Sequence, residues 1–312
     1  VDCAVSVHGY AINRRRSNIG LKTPLNDTNN IGALQMSKTL APTLTLANGV
    51  EMPQLGLGTW PMNDAEAAET VTTALELGYR LIDTAENYQN ERGVGQGIRN
   101  ASVPRDQVFV TTKFNREWHS FDGAKDACEA SLKRLELDYI DLLLIHWPNP
   151  DQDRFVEAYL GLANLLDRGL VRAIGTSNFK PAHLQRLLDL GLKPHLNQIQ
   201  LDPYHRRDDL IALHQRHGIV TESWRPLGCG NAMLADPVIL AIAEQHQRTP
   251  AQIVLRWAVQ QGFATATKSS NPQRMADNLN IFDFSLSAEE MSSLNSLGRD
   301  DPDMLDADQF GH

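Results

Sequence analysis

The chain has 312 residues, 42% of them hydrophobic and 21% charged, with a formal net charge of −9. That is ordinary globular composition, sufficient for one large domain or two small ones. Its acidity excludes nucleic acid as a bulk electrostatic partner and leaves room for a local basic site that takes a small anion. No uninterrupted apolar run approaches the roughly 18 residues of a membrane-spanning helix. Cys3, Cys128 and Cys229 are too few and too far apart for a disulfide framework or a CxxC metal pair, which favours a reducing compartment. His214 and His217 can share a helix face, but no HExxH pattern or carboxylate cluster accompanies them, so no metal site is expected.

Residues 1 to about 40 differ from the rest, with Arg14-Arg15-Arg16, scattered Asn and Ser, and no sustained apolar period. Met36-Ser37-Lys38 reads like a natural start. The preceding segment is expected to be a poorly ordered leader or upstream extension; an Arg- and Ser-containing organelle transit peptide is the alternative, disfavoured by the weak amphipathic pattern. Residues 41–312 are expected to form a single domain.

From Thr43 the pattern sharpens. Thr43-Leu44-Thr45-Leu46 alternates, Asn48-Gly49 follows and Val50-Glu51-Met52 returns, which predicts a hairpin with a type I′ turn. Strand-like and helix-like segments then alternate. The first strand covers Gln54 to Thr59, and its helix runs from a cap at Asn63 or Asp64 to Leu77, stopped by Gly78. The second strand ends at Asp83, with a helix over Glu91 to Asn100. The third, from Gln107, ends at Lys113 and feeds a helix from Phe121 to Leu135. On that helix Ala124, Ala127, Cys128, Ser131, Leu132 and Leu135 form one stripe, which makes Cys128 a core residue. The fourth strand, from Tyr139, ends at His146. Strands five to eight cover Val171 to Gly175, Leu196 to Leu201, Ile219 to Ser223 and Phe263 to Thr267. Thr249-Pro250 opens a helix, and Ser287 with Glu290 forms a capping box for the last one. Eight such pairs over about 250 residues predict a closed (β/α)₈ TIM barrel, with the N-terminal β-hairpin covering the barrel bottom. A doubly wound open sheet is the rival, disfavoured because no linker or change in composition divides the chain.

A barrel places chemistry at the C-terminal ends of its strands. Asp83, Lys113 and His146 end strands two, three and four, and Tyr88 lies in the loop after strand two. An acid, an amine, an imidazole and a phenol at one rim form a proton-transfer site. A buried, satisfied Asp–Lys pair beside a core histidine is the bland alternative. The Gly93-Val94-Gly95-Gln96-Gly97 run misses the dinucleotide-binding spacing and falls on a helix, where it is expected to permit close packing.

Several longer signatures stand in order: Leu55-Gly56-Leu57-Gly58-Thr59-Trp60, Gly78 to Ala85, Asp141 to Pro148, Gly175-Thr176-Ser177-Asn178-Phe179, Asn197-Gln198-Ile199, and Lys268-Ser269 through Arg274. Together they resemble the aldo-keto reductase family from Thr43 to Leu297, nearest to its bacterial 2,5-diketo-D-gluconate reductase-like branch. The resemblance implies the TIM barrel, NADPH/NADP as cofactor, and reduction of aldehydes or ketones to alcohols; a cytoplasmic monomer acting on a small-molecule carbonyl substrate is expected. It gives Tyr88 the role of general acid and His146 that of orienting the carbonyl oxygen. Lys113, paired with Asp83, lowers the phenol's pKa from its ordinary value of about 10. Ser177, Asn178 and Gln198 match positions that hold the nicotinamide carboxamide, and Trp224 matches the aromatic beneath the ring. Thr59, Trp60, Arg225 and Leu227 fall among the cofactor contacts. Lys268, Ser269 and Arg274 match the site of the 2′-phosphate, and Asn278 matches the adenine contact. Trp60, Trp118 and Trp147 are expected to wall the substrate pocket, left open by a short acidic tail after Leu297. Two positions depart from the family pattern: Arg225 replaces a small residue of the pyrophosphate loop, and Thr267 replaces a proline. Arg225 either pairs with the pyrophosphate or obstructs the loop, and Cys229 in the same loop is expected to be exposed. A catalytically silent cofactor-binding barrel is the alternative function.

Overall fold

The computed structural model describes residues 40–228, 232–299 and 304–311. The expected leader, Cys3 and Cys229 lie outside the described residues. The hairpin strands are β1 (Thr43–Thr45) and β2 (Glu51–Pro53). The barrel strands are β3 (Leu55–Gly58), β4 (Leu81–Asp83), β5 (Phe109–Phe114), β6 (Ile140–Ile145), β7 (Val171–Ser177), β8 (Leu196–Gln200), β9 (Val220–Trp224) and β10 (Ala264–Thr267). They close in sequence order, β10 pairing with both β3 and β9, and every pairing is parallel. The closed barrel is the expected one, and the open sheet is excluded.

The helices are α1 (Asp64–Leu77), α2 (Glu91–Asn100), α3 (Phe121–Leu135), α4 (Phe155–Asp167), α5 (Pro181–Leu188), α6 (Asp208–His217), α7 (Pro237–His246), α8 (Pro250–Gln260), α9 (Pro272–Leu279) and α10 (Ala288–Asn295). Local signals set their ends. Asn63 caps α1 through Glu66 N, and Gly78 stops it at φ 122°, a conformation only glycine adopts readily. The expected capping box of Ser287 with Glu290 forms, and Thr249 with Gln252 forms another at the start of α8. α7 and α9 lie outside the expected elements, although Asp236-Pro237 and Asn271-Pro272 are cap–proline starts that announce them. The α3 stripe is buried except for Leu132, which is half-buried and packs against the core; burial pushes the Cys128 thiol up to about 12, so it is inert. Each large apolar side chain in this outer layer contributes about 1.5–3 kcal/mol. In α2 a Cβ on Gly93 would meet the Asp64 carbonyl and one on Gly95 the Leu135 carbonyl, so these glycines permit close packing.

The hairpin covers the barrel bottom. Leu46 and Met52 are buried against Leu81, Phe109, Leu142, Leu196 and Ala264, and Asn48 Nδ2 donates to the Arg172 carbonyl at 2.9 Å. Its turn is not type I′. Only Gly49 has positive φ; Gly49 N bonds Leu46 O and Leu46 N bonds Val50 O, both at 2.8 Å. The loop therefore has three residues, with glycine alone in the left-handed position.

Candidate active site

Side chains on the barrel's inner face change character along its axis. Period-two alternation carries Leu81 to Asp83, Phe109 to Lys113 by way of Thr111, Leu196 to Gln198, and Val220 to Glu222. The lower layer is apolar, and the next is charged and buried. Lys113, wholly buried, sends its ammonium to both Asp83 oxygens and to the Thr84 carbonyl, each at 2.9 Å. Thr59 Oγ1 secures the Asp83 backbone carbonyl at 3.0 Å. Gln198 Nε2 donates to Asp83 Oδ1 at 3.0 Å and to Glu222 Oε2 at 2.9 Å.

Above this layer, the single 3₁₀ turn Glu86–Tyr88 presents the phenol. Lys113 Nζ lies 5.2 Å from the Tyr88 ring centroid, and the His146 ring stands edge-on to it at 5.9 Å. His146 is fixed by its own N–H to Phe114 O (3.1 Å) and by a 3.3 Å contact of Nδ1 with Asn115 Oδ1. The four rim residues are thus brought together.

Their electrostatics differ from expectation in one respect. Burial raises the Tyr88 phenol above its ordinary value; Lys113 pulls it down by charge and hydrogen bonding, Asp83 opposes, and Arg225 assists Lys113. The net shift is upward, because desolvation of a phenolate outweighs one ammonium already shared with a carboxylate. Burial alone would lower Lys113, but Asp83, Tyr88 and Glu222 raise it, so the ammonium stays charged. Glu222 is pushed up to about 8 by burial and by Asp83, against the pull of Gln198 and Lys113.

The residues assigned to the cofactor fall into two groups. Ser177, Asn178, Gln198 and Trp224 cluster beside the rim. Asn178 Nδ2 donates to His146 O (3.1 Å) and Ser177 Oγ (3.0 Å), while its Oδ1 accepts from Trp224 Nε1 (2.8 Å). This side chain is a bracket between strand ends, held at φ 63°. Both Gln198 Nε2 hydrogens go to carboxylates, so only its Oε1 is left to face a ligand. Arg225, at φ 53°, lays its guanidinium 5.4 Å from both the Trp60 and Trp224 ring centroids. Leu227 packs against the outer core.

The second group lies at the start of α9. Lys268 and Arg274 are exposed; Lys268 makes a loose 3.3 Å contact with Glu66. Ser269 Oγ accepts from Asn271 N at 3.2 Å. Asn278 is buried and hydrogen-bonds the Tyr79 phenol. Thr267, the second departure, is a buried residue of β10.

Among the proposed pocket walls, Trp60 is exposed and Trp118 Nε1 donates to Glu86 at 2.8 Å. Trp147 is buried and meets Phe310 at 4.7 Å. The tail therefore does not leave the rim open. Lys180 binds Asp306 and Asp308, His183 holds Asp308 at 3.0 Å, and Phe310 lies over Trp147. Sequence reasoning also missed Glu222 and Asn115. The signal for Glu222 was its place two residues before Trp224 in one strand, which puts both on the inner face.

Comparisons with known proteins bear on the fold and the family. A profile of the Aldo/keto reductase family matches residues 52–299. The methylglyoxal reductase DkgA of Escherichia coli is 44% identical over 270 residues, covering 86% of this chain and 98% of its own. An aldo-keto reductase of Mycolicibacterium smegmatis is 46% identical over 261 residues, covering 83% and 94%. Among solved structures, a Gox0644 mutant in complex with NADPH superposes with a TM-score of 0.82 at 41% identity, covering 86% of this chain and 98% of that one. A Bombyx mori aldo-keto reductase in complex with NADP gives 0.78 at 35%, covering 83% and 93%. By profile, by identity across most of its length and by its barrel, the chain belongs to the aldo/keto reductase family of oxidoreductases.

Proposed function

We propose that the protein reduces aldehydes and ketones to alcohols with NADPH, Tyr88 delivering the proton to the carbonyl oxygen. The observation that carries this reading is the buried ammonium of Lys113, triply held below the phenol and beside His146. The phenol stays protonated at neutral pH and is ready to donate, while the fixed ammonium stabilises the phenolate left behind. His146 flanks the same point and can direct the substrate oxygen toward Tyr88.

NADPH supplies the hydride. The residues present suit it: Ser177 and the Gln198 Oε1 acceptor lie beside the half-exposed Trp224 face, and Lys268 with Arg274 stands at the capped start of α9. Two exposed cations at a helix N-terminus favour a phosphate dianion. Relatives that bind NADPH or NADP support the choice. The relative named methylglyoxal reductase supports small aldehydes as substrates. Trp60, Trp147 and Phe310 around the rim favour apolar or aromatic ones. No helix among the described residues is long and apolar enough to cross a membrane. A cytoplasmic monomer acting on a small carbonyl compound is the proposed setting. The test is NADPH consumption with methylglyoxal and an aromatic aldehyde. Turnover supports the proposal; tight NADPH binding without turnover on any aldehyde would favour the catalytically silent barrel instead.

A further inference from the structure

Glu222 is wholly buried at the barrel centre, and its Oε1 has no hydrogen-bond partner among the described residues. Its Oε2 accepts from Gln198 Nε2, the same nitrogen that donates to Asp83. Asp83 of β4 and Lys113 of β5 are the charged groups that act on it, and Tyr88 is coupled to it through Lys113. The adjoining strands β8 and β10 carry no charged residue. Two buried carboxylates therefore lie in the field of one ammonium, which hydrogen-bonds Asp83, and a neutral amide bridges them.

Such a group has two states with different consequences for the phenol. Neutral, Glu222 leaves the Lys113 charge to Asp83 and Tyr88. Ionised, it adds a second carboxylate to the same ammonium. The field that stabilises a developing Tyr88 phenolate then weakens, because interactions between buried charges are poorly screened.

We propose that Glu222 is a positioning residue that sets the strength of Tyr88 as an acid, acting through Gln198, Asp83 and Lys113, and that the reductase works with Glu222 protonated. The inference rests on the proposed function. Its upward shift to about 8 places the switch just above neutrality. Carbonyl reduction should then fall several-fold as pH rises through about 8, well before the phenol itself titrates, because a weaker acid donates more slowly.

Glu222→Gln keeps the shape and fixes the neutral state. Single-turnover hydride transfer in this variant should equal the parent's within about two-fold near pH 6 and lose the fall above about 8. KM for the aldehyde should be unchanged in both arms, since Glu222 does not reach the substrate. An unchanged alkaline fall in Glu222→Gln would overturn the proposal, as would a folded variant that is inactive near pH 6. Infrared difference spectroscopy reads the same group without turnover. The parent should show a protonated carboxyl band that disappears between about pH 6 and 9 and is absent from Glu222→Gln; no such band would also overturn it. Absence of turnover in the parent itself would instead refute the proposed function.

Discussion

Two buried carboxylate clusters lie near opposite ends of the barrel, and they are built with opposite charge balance. Near the start of β6, Asp141 accepts from Arg105 (2.7 Å), Arg172 (2.6 Å) and the Val110 amide (2.9 Å). Two cations and a backbone donor saturate one carboxylate. Beyond the strand centres the ratio is reversed: Lys113 hydrogen-bonds Asp83 and acts on Glu222 by charge alone, and one Glu222 oxygen has no hydrogen-bond partner among the described residues. The lower cluster has one stable arrangement and serves to hold strand ends together. The upper is short of positive charge, so a proton there can be added or removed at modest cost. Burial alone therefore does not mark a functional site; the mismatch of charges within the burial does.

Lys113→Met breaks the upper cluster most severely. It leaves Asp83 and Glu222 without a cation and Tyr88 without its electrostatic support. Turnover should fall by about 10² or more, and stability by about 3–5 kcal/mol unless the carboxylates take up protons. Steady-state kinetics with a denaturant titration measures both. Near-normal turnover would mean that the ammonium is only structural.

Asp141→Asn separates the two regions. Stability should drop by about 2–4 kcal/mol, toward the lower figure because Arg172 is 43% exposed and regains water. Turnover per folded molecule should not change. A proportionate loss of activity would mean that the lower cluster also shapes the site.

Glu222→Gln sharpens the comparison through pH. The folded-state pKa of Glu222 lies above the unfolded value of about 4.3. The native state thus holds this proton where the unfolded chain has released it, and this group's contribution to stability falls from about pH 4.3 to 8. The variant should therefore gain in Tm over the parent as pH rises through that window, with the smallest difference at its acid end. A difference independent of pH would mean that Glu222 is ionised throughout.

The smallest effect is expected from Arg225→Ser. The guanidinium lies between Trp60 and Trp224, beside the face proposed for the cofactor ring. Displacing two cation–π contacts costs about 1–2 kcal/mol. NADPH should bind about 5- to 30-fold more tightly to Arg225→Ser in a fluorescence titration. Weaker binding would mean that Arg225 assists the cofactor by pairing with its phosphates.

Asp83, Lys113 and His146 were legible because each ends an apolar run, and Tyr88 because it follows Asp83 by five residues; barrel topology turns strand ends into neighbours. Cys128 and the Gly93 to Gly97 run were legible from helical spacing alone. Glu222 was not: a lone acid in a short strand reads as solvent-facing until closure places its alternation inside. The packed tail was not, because Lys180 and Asp308 are 128 residues apart and no local pattern joins them. The Asn48-Gly49 pair marked a hairpin correctly, but such a pair fits more than one loop length, and the Leu46–Val50 closure decides between them. The net shift of Tyr88 depends on how fully the ring is desolvated, a three-dimensional quantity that residue order does not carry.

The central claim is that Tyr88 is the proton donor. Tyr88→Phe keeps the ring and removes only the hydroxyl, leaving Asp83, Lys113 and the cofactor-binding residues in place. Single-turnover reduction of an aromatic aldehyde at saturating NADPH measures the chemical step directly. A loss of about 10² or more in that rate is expected, with NADPH affinity nearly unchanged. A rate close to the parent's would contradict it and make His146 the acid.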